Sequence, residues 1–226
     1  MKALSLVLSL IFSISLSGQD YLEIFEEPRN DGSLDLLALN HGPVPLTLEV
    51  DFNTLRNLKA DVSLPHQIVI PTGAEPTRLM GLRVTDRRKS PEYDFRFEYA
   101  MGDINAEHDD SYVYTLPYKK GTSHLVHQGY HGRYSHKNAY AIDFSMPVGT
   151  EVYAARGGVV ANIKEDSNTG CKNPSCQGKA NYLVIGHDDG SFSNYVHLKY
   201  NGILVEVGER VEQGQLVALS GNTGWS

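Results

Sequence analysis

Between positions 124 and 136 the chain carries four histidines, His124, His127, His131 and His136, within the run HLVHQGYHGRYSHKNAYAIDF. A short histidine-rich tract points to metal, because the neutral imidazole nitrogen is a common ligand for zinc and related ions. Gly129 and Gly132 punctuate the tract, so it reads as loop rather than helix. The AYAIDF that follows reads as a strand, and alternation puts Asp143 on the face opposite Ile142 and Phe144. A carboxylate among apolar neighbours is costly to bury unless it meets a cation or a donor. Further on, FSNYVHL reads as a second strand on which Ser193, Tyr195 and His197 share one face. Imidazole changes charge near neutral pH, which suits it to moving protons. Tyr195 on the same face is either a hydrogen-bond donor or, more commonly for such a residue, part of the packing.

These residues need a scaffold, and period-two patterning supplies one. In LTLEVDF, Leu46, Leu48, Val50 and Phe52 fall on one side, with Thr47, Glu49 and Asp51 on the other. YDFRFEY sets Tyr93, Phe95, Phe97 and Tyr99 against Asp94, Arg96 and Glu98. Such alternation predicts half-buried antiparallel strands, and the runs at 34–39, 66–70 and 79–84 between turn formers add more. Residues 19–117 are therefore expected to form a β-sandwich domain. His41, His66 and His108 are isolated there and read as surface or turn residues. The aromatic face of residues 93–99 reads as a core stripe rather than a sugar-stacking platform. The rest, 118–226, is expected to be a smaller antiparallel β-domain of half-barrel type. Its first strand pair is expected to turn at Arg156-Gly157-Gly158, and its next hairpin at Asp188-Asp189-Gly190.

Composition narrows the function. With 20 Lys and Arg against 27 Asp and Glu, the net charge is −7, which disfavours nucleic-acid binding. Residues 1–18 read MKALSLVLSLIFSISLSG: one Lys, an apolar run from Ala3 to Leu16, then small residues. That is the pattern of a secretory signal peptide, and the run is short of the ~20 residues a membrane span needs. No later apolar run is long enough to span, so the protein is expected to be exported to the periplasm, cell envelope or exterior. In that oxidising setting the two cysteines, Cys171 and Cys176, are expected to close a loop disulfide. A zinc-ribbon half-site would require a second Cys pair.

The ordered blocks SHKNAYAIDFSMPVGTEVYAARGGVV, NYVHL and VGERVEQGQLVALSGNTGWS resemble the lysostaphin-like (LytM-domain) zinc metallopeptidases, which cut peptides of bacterial peptidoglycan. The resemblance covers roughly residues 127–226. It implies an all-β fold, Zn²⁺ as cofactor and peptidoglycan peptides as partners. It also implies that His136 and Asp143 bind the metal, with His131 as the alternative ligand, and that His197 is a catalytic histidine beside it. The spacing between His136 and Asp143 is the longer of two forms in the family. Gly221 to Gly224 resembles the turn before the family's final His-x-His strand, which supplies a third ligand and a second catalytic histidine. That strand is not in the 226 residues. The expectation is a truncated record of an intact enzyme, with weak zinc binding and no measurable turnover for the polypeptide as it stands. Three other readings are a non-catalytic LytM-like activator of wall amidases, a cell-wall binding module, and a biotinyl or lipoyl carrier half-motif in VEVGERVEQGQLVA. The carrier reading lacks the lysine that a carrier presents on a central hairpin.

Overall fold

A computed structural model describes residues 21–133 and 135–226; the expected signal segment at 1–18 lies outside them. The chain divides into two compact units, Met1–Ala106 and Glu107–Ser226.

The first unit holds β1 (Leu22–Pro28), β2 (Leu34–Asn40), β3 (Leu46–Arg56), β4 (Leu58–Ala60), β5 (His66–Ile70), β6 (Thr77–Val84) and β7 (Glu92–Met101). Two antiparallel sheets form, ordered β1-β2-β6-β4 and β5-β3-β7. They share a single core of Leu36, Ala38, Leu48, Val50, Met80 and Leu82, among others, as sandwich packing requires. The alternation in β3 works as read, with Leu46, Leu48 and Val50 fully buried. On β7 the aromatic stripe turns inward: Tyr93, Phe95 and Phe97 pack against the core, and Phe95 meets Phe52 edge-on at 6.4 Å. Only Tyr99 at the end of the stripe is exposed, at 38%. The rings are thus used up in packing, which leaves a sugar platform without its faces.

Residues 107–117 belong with the second unit rather than the sandwich. Thr115 N–H donates to the Ala155 carbonyl at 3.0 Å, and Tyr153 N–H donates to that of Pro117 at 3.1 Å. The unit continues with β8 (Leu125–Gln128), β9 (Asp143–Ser145), β10 (Glu151–Tyr153), β11 (Gly158–Lys164), β12 (Gly170–Cys171), β13 (Tyr182–Gly186), β14 (Phe192–Val196), β15 (Leu198–Ile203), β16 (Arg210–Val211), β17 (Leu216–Ser220) and β18 (Gly224–Trp225). One sheet runs β10-β17-β15 and another β14-β13-β11-β16. Both face a core of Val152, Val160, Leu183, Ile185, Leu198 and Val217. The hairpin β13–β14 forms as expected around Gly190, whose φ of +82° suits glycine.

The expected strand pair across Arg156-Gly157-Gly158 does not form, because β10 and β11 lie in different sheets. Arg156 breaks the pairing: it is buried, ion-paired to Asp189 at 2.7 Å, and its guanidinium lies 4.0 Å from the centre of the Tyr112 ring. Gly158 then starts β11 so close to β13 that a Cβ there would sit 2.2 Å from the Gly186 carbonyl oxygen. No side chain larger than hydrogen fits without moving the sheet.

Cys171 and Cys176 are joined by a disulfide with Cα atoms 6.0 Å apart, and a 3-10 helix spans Pro174–Lys179. β12, which contains Cys171, pairs in parallel with β18. Among the described residues no helix is long and apolar enough to cross a membrane.

Candidate functional site

His136 and Asp143 meet. They sit at opposite ends of the segment that leads into β9, and His136 Nε2 lies 3.2 Å from Asp143 Oδ1. A carbonyl cannot donate, so the 3.2 Å contact of His136 Nδ1 with the Gly129 carbonyl assigns the proton to Nδ1. Nε2 is then left with its lone pair directed at the aspartate. The ring is buried, at 9% exposure for the residue, whereas the Asp143 side chain is 41% exposed. The expected carboxylate among apolar neighbours is therefore half open to solvent, with one oxygen facing the bare nitrogen of the imidazole.

A hydrogen-bond donor to this carboxylate comes from β8. β8 and β9 form a two-stranded antiparallel sheet whose register shifts between Val126 and Gln128, so that Gln128 faces Asp143. Gln128 Nε2 donates to Asp143 Oδ2 at 3.3 Å and to Ser135 Oγ at 3.0 Å. The two carboxylate oxygens are thus distinct: Oδ2 accepts from the amide, while Oδ1 faces the bare imidazole nitrogen, two acceptors that a shared cation would satisfy. Such outer partners fix the orientation of metal ligands. Gln128 was not singled out from the sequence; only the shifted register reveals it.

The donor chemistry suits a divalent cation. Two ligands at about 2.0–2.2 Å on tetrahedral zinc stand ~3.3 Å apart, close to the observed 3.2 Å separation. Imidazole nitrogen plus carboxylate oxygen is also an ordinary zinc pair. The described residues contain no group of three His, Cys, Asp or Glu that could hold a metal, so the pair contributes two donors.

The other histidines of the tract are placed elsewhere. His124 stacks edge-on with Tyr118 at 4.8 Å, His127 is exposed, and His131 stands 5.0 Å from the Tyr140 ring with a positive φ of 55°. The structure brings His136, not His131, to Asp143.

His197 departs from the expected alternation. It stands between β14 and β15 with φ of +62°, a left-handed conformation that residues with side chains adopt rarely. The strand pattern that put it on the face of Ser193 and Tyr195 therefore stops one residue early. Its Nδ1 donates to the Thr223 carbonyl at 2.7 Å, which leaves Nε2 as the bare nitrogen. Tyr195 packs against the core, burial raises the pKa of its phenol, and its oxygen accepts the Ala155 N–H at 2.7 Å.

A further histidine, His187, is buried, with Nδ1 on the Gly157 carbonyl at 2.8 Å and Nε2 on Ser193 Oγ at 2.7 Å. Burial pushes its pKa down, so the fold holds it neutral. The unfolded chain takes up a proton below about pH 6.5. This contribution to stability is thus complete above that pH and is lost as pH falls towards the lower folded value. Urea unfolding at stepped pH is expected to show a slope of up to ~1.4 kcal/mol per pH unit below about 6.5 that His187→Gln flattens. An unchanged slope would assign the acid sensitivity elsewhere.

Residues 135–226 match the model of peptidase family M23. Peptidoglycan DD-endopeptidase ShyA of Vibrio cholerae is 40% identical over 82 residues, covering 36% of this chain and 16% of ShyA. Glycyl-glycine endopeptidase ALE-1 of Staphylococcus capitis is 37% identical over 91 residues, 39% of this chain and 22% of ALE-1. An uncharacterized metalloprotease of Buchnera aphidicola is 38% identical over 85 residues, 38% of this chain and 19% of its own. The chain thus spans less than a quarter of the length of these relatives. Among solved structures, a zinc-containing peptidase from Vibrio cholerae aligns over 90% of this chain and 71% of its own, at 17% identity and a TM-score of 0.37.

Proposed function

From the peptidase family M23 domain that residues 135–226 carry, we propose that this is an exported, zinc-dependent endopeptidase acting on the peptide cross-links of bacterial peptidoglycan. The observation that carries the reading is the His136–Asp143 pair, with its 3.2 Å donor separation and both side chains oriented by separate partners. Zinc held there would polarise a peptide carbonyl and lower the pKa of water. His136 offers Nε2 because Gly129 holds Nδ1, and Asp143 offers Oδ1 because Gln128 holds Oδ2.

His197 is the proton carrier in this reading. With Nδ1 tied to Thr223, Nε2 takes the proton from the attacking water and returns it to the departing amine nitrogen. The carbonyl carbon gains the water oxygen, the C–N bond breaks, and a carboxylate and an amine result. In this reading the described residues supply two of the three protein donors a catalytic zinc takes, and these two alone are expected to bind zinc weakly and turn over no peptide.

The test uses the full-length protein with zinc, purified sacculi as substrate and mass spectrometry of the released muropeptides. New amine and carboxyl ends within cross-links are the expected products. His197→Gln is expected to slow their release about 10²–10⁴-fold while retaining zinc. Absence of any peptide cleavage would overturn the peptidase reading. Full activity in His197→Gln would overturn the role of that residue. Relatives are named for DD- and glycyl-glycine cleavage, so the products also identify the bond.

A further inference from the structure

We infer that Asn181 is a positioning residue that sets the conformation and tautomer of His197; the inference rests on the reading of His197 as the proton carrier. Asn181 is fully buried, and its polar atoms bind three separate segments of the chain. Its Oδ1 accepts the Ser167 N–H at 3.0 Å, and its Nδ2 donates to the carbonyls of Ser167 at 2.9 Å and Leu198 at 3.3 Å. Its backbone carbonyl accepts the Leu198 N–H at 3.2 Å, and its backbone N–H donates to Thr223 Oγ1 at 3.0 Å. Leu198 directly follows His197, and Thr223 carries the carbonyl on which His197 Nδ1 rests.

Thr223 closes the circuit. Its hydroxyl donates to the Leu198 carbonyl at 2.8 Å while accepting from Asn181, so neither can shift without disturbing the other. The approach is close: a Cβ on Gly221 would lie 2.5 Å from the Leu198 carbonyl carbon. A left-handed residue with a side chain persists only where its surroundings over-determine it. Here both peptide groups of Leu198 and the imidazole of His197 are bound by the same two residues. Asparagine suits the central place because one amide supplies both an acceptor and two donors. Aspartate keeps the shape and loses the donors.

The test reads the ring directly, on the 226-residue chain labelled with ¹⁵N-histidine. Ring ¹H–¹⁵N correlations, assigned to His197 by their loss in His197→Gln, report the tautomer. The wild type is expected in the Nδ1–H form. Asn181→Asp and Thr223→Val, the latter removing only the hydroxyl's bonds, are expected to shift the tautomer ratio by about 2–10-fold, the range of one net hydrogen bond. Thr223→Ser is expected to restore it. In the full-length protein the same two variants are expected to lower kcat about 10–100-fold with KM and zinc content unchanged. A wild-type His197 with Nδ1 bare would overturn the proposal without any variant, and so would variants with unchanged ratio and kcat. Loss of the ratio with wild-type kcat in His197→Gln would instead keep the positioning and reject the catalytic role of His197.

Discussion

Changing His136 to alanine is expected to weaken zinc binding by at least ~100-fold, more than the loss of an outer partner costs, while His131→Ala leaves it unchanged. The asymmetry follows from geometry rather than from residue type. Both are histidines of one glycine-punctuated loop, but only His136 presents a bare Nε2 to Asp143, at 3.2 Å. His131 lies exposed in a left-handed conformation against Tyr140. Asp143→Asn is expected to weaken binding as His136→Ala does, because an amide oxygen brings no charge to the cation. Competition with a chromophoric chelator, on the full-length protein and its variants, measures all three. Affinity that survives His136→Ala and falls in His131→Ala would transfer the ligand role.

The choice of His136 among four histidines came from the family resemblance, but a metal-seeking tract close to Asp143 was legible because these residues lie on one short segment and carry the chemistry in their own side chains. Strand alternation at 46–52 and 93–99 was legible for a similar reason: burial repeats every two residues, and the polar partners are as regular as the apolar ones. What escaped was set by distant partners. The pairing of β10 with β17 rather than β11 depends on Arg156 being drawn inward by Asp189 and Tyr112. Membership of 107–117 in the second unit depends on scattered contacts with distant residues, among them hydrogen bonds with Tyr153, Ala155, Asp189 and Gln213. The left-handed turn at His197 is enforced from Asn181 and Thr223, neither of which has a local pattern to read. Alternation extrapolated through such a residue necessarily fails there.

Leu183→Ala is expected to lower the stability of the second unit by roughly 2–5 kcal/mol, the cost of an unfilled core cavity. Leu183 is fully buried on β13, which lies between β14 and β11 in its sheet. Its side chain belongs to the cluster that both sheets share, so collapse around the vacancy is restrained from two sides. Trp225, the sole tryptophan, lies on β18 of this unit and reports its unfolding by fluorescence in urea. The midpoint is expected to fall with the denaturant slope unchanged. A change below about 1 kcal/mol in Leu183→Ala would mean that the site closes around the smaller residue.

The partnership of β10 with β17 also has a consequence in time. In the first unit β1 meets β2 across a short turn and can pair almost as soon as both leave the ribosome. Tyr153 must wait for Leu216, about 60 residues later, which at ~5–20 residues per second is a delay of several seconds. Through that interval β10 has no sheet to join, and an unpaired edge is open to other chains. Until β17 arrives, this domain therefore depends on whatever keeps unfinished chains apart.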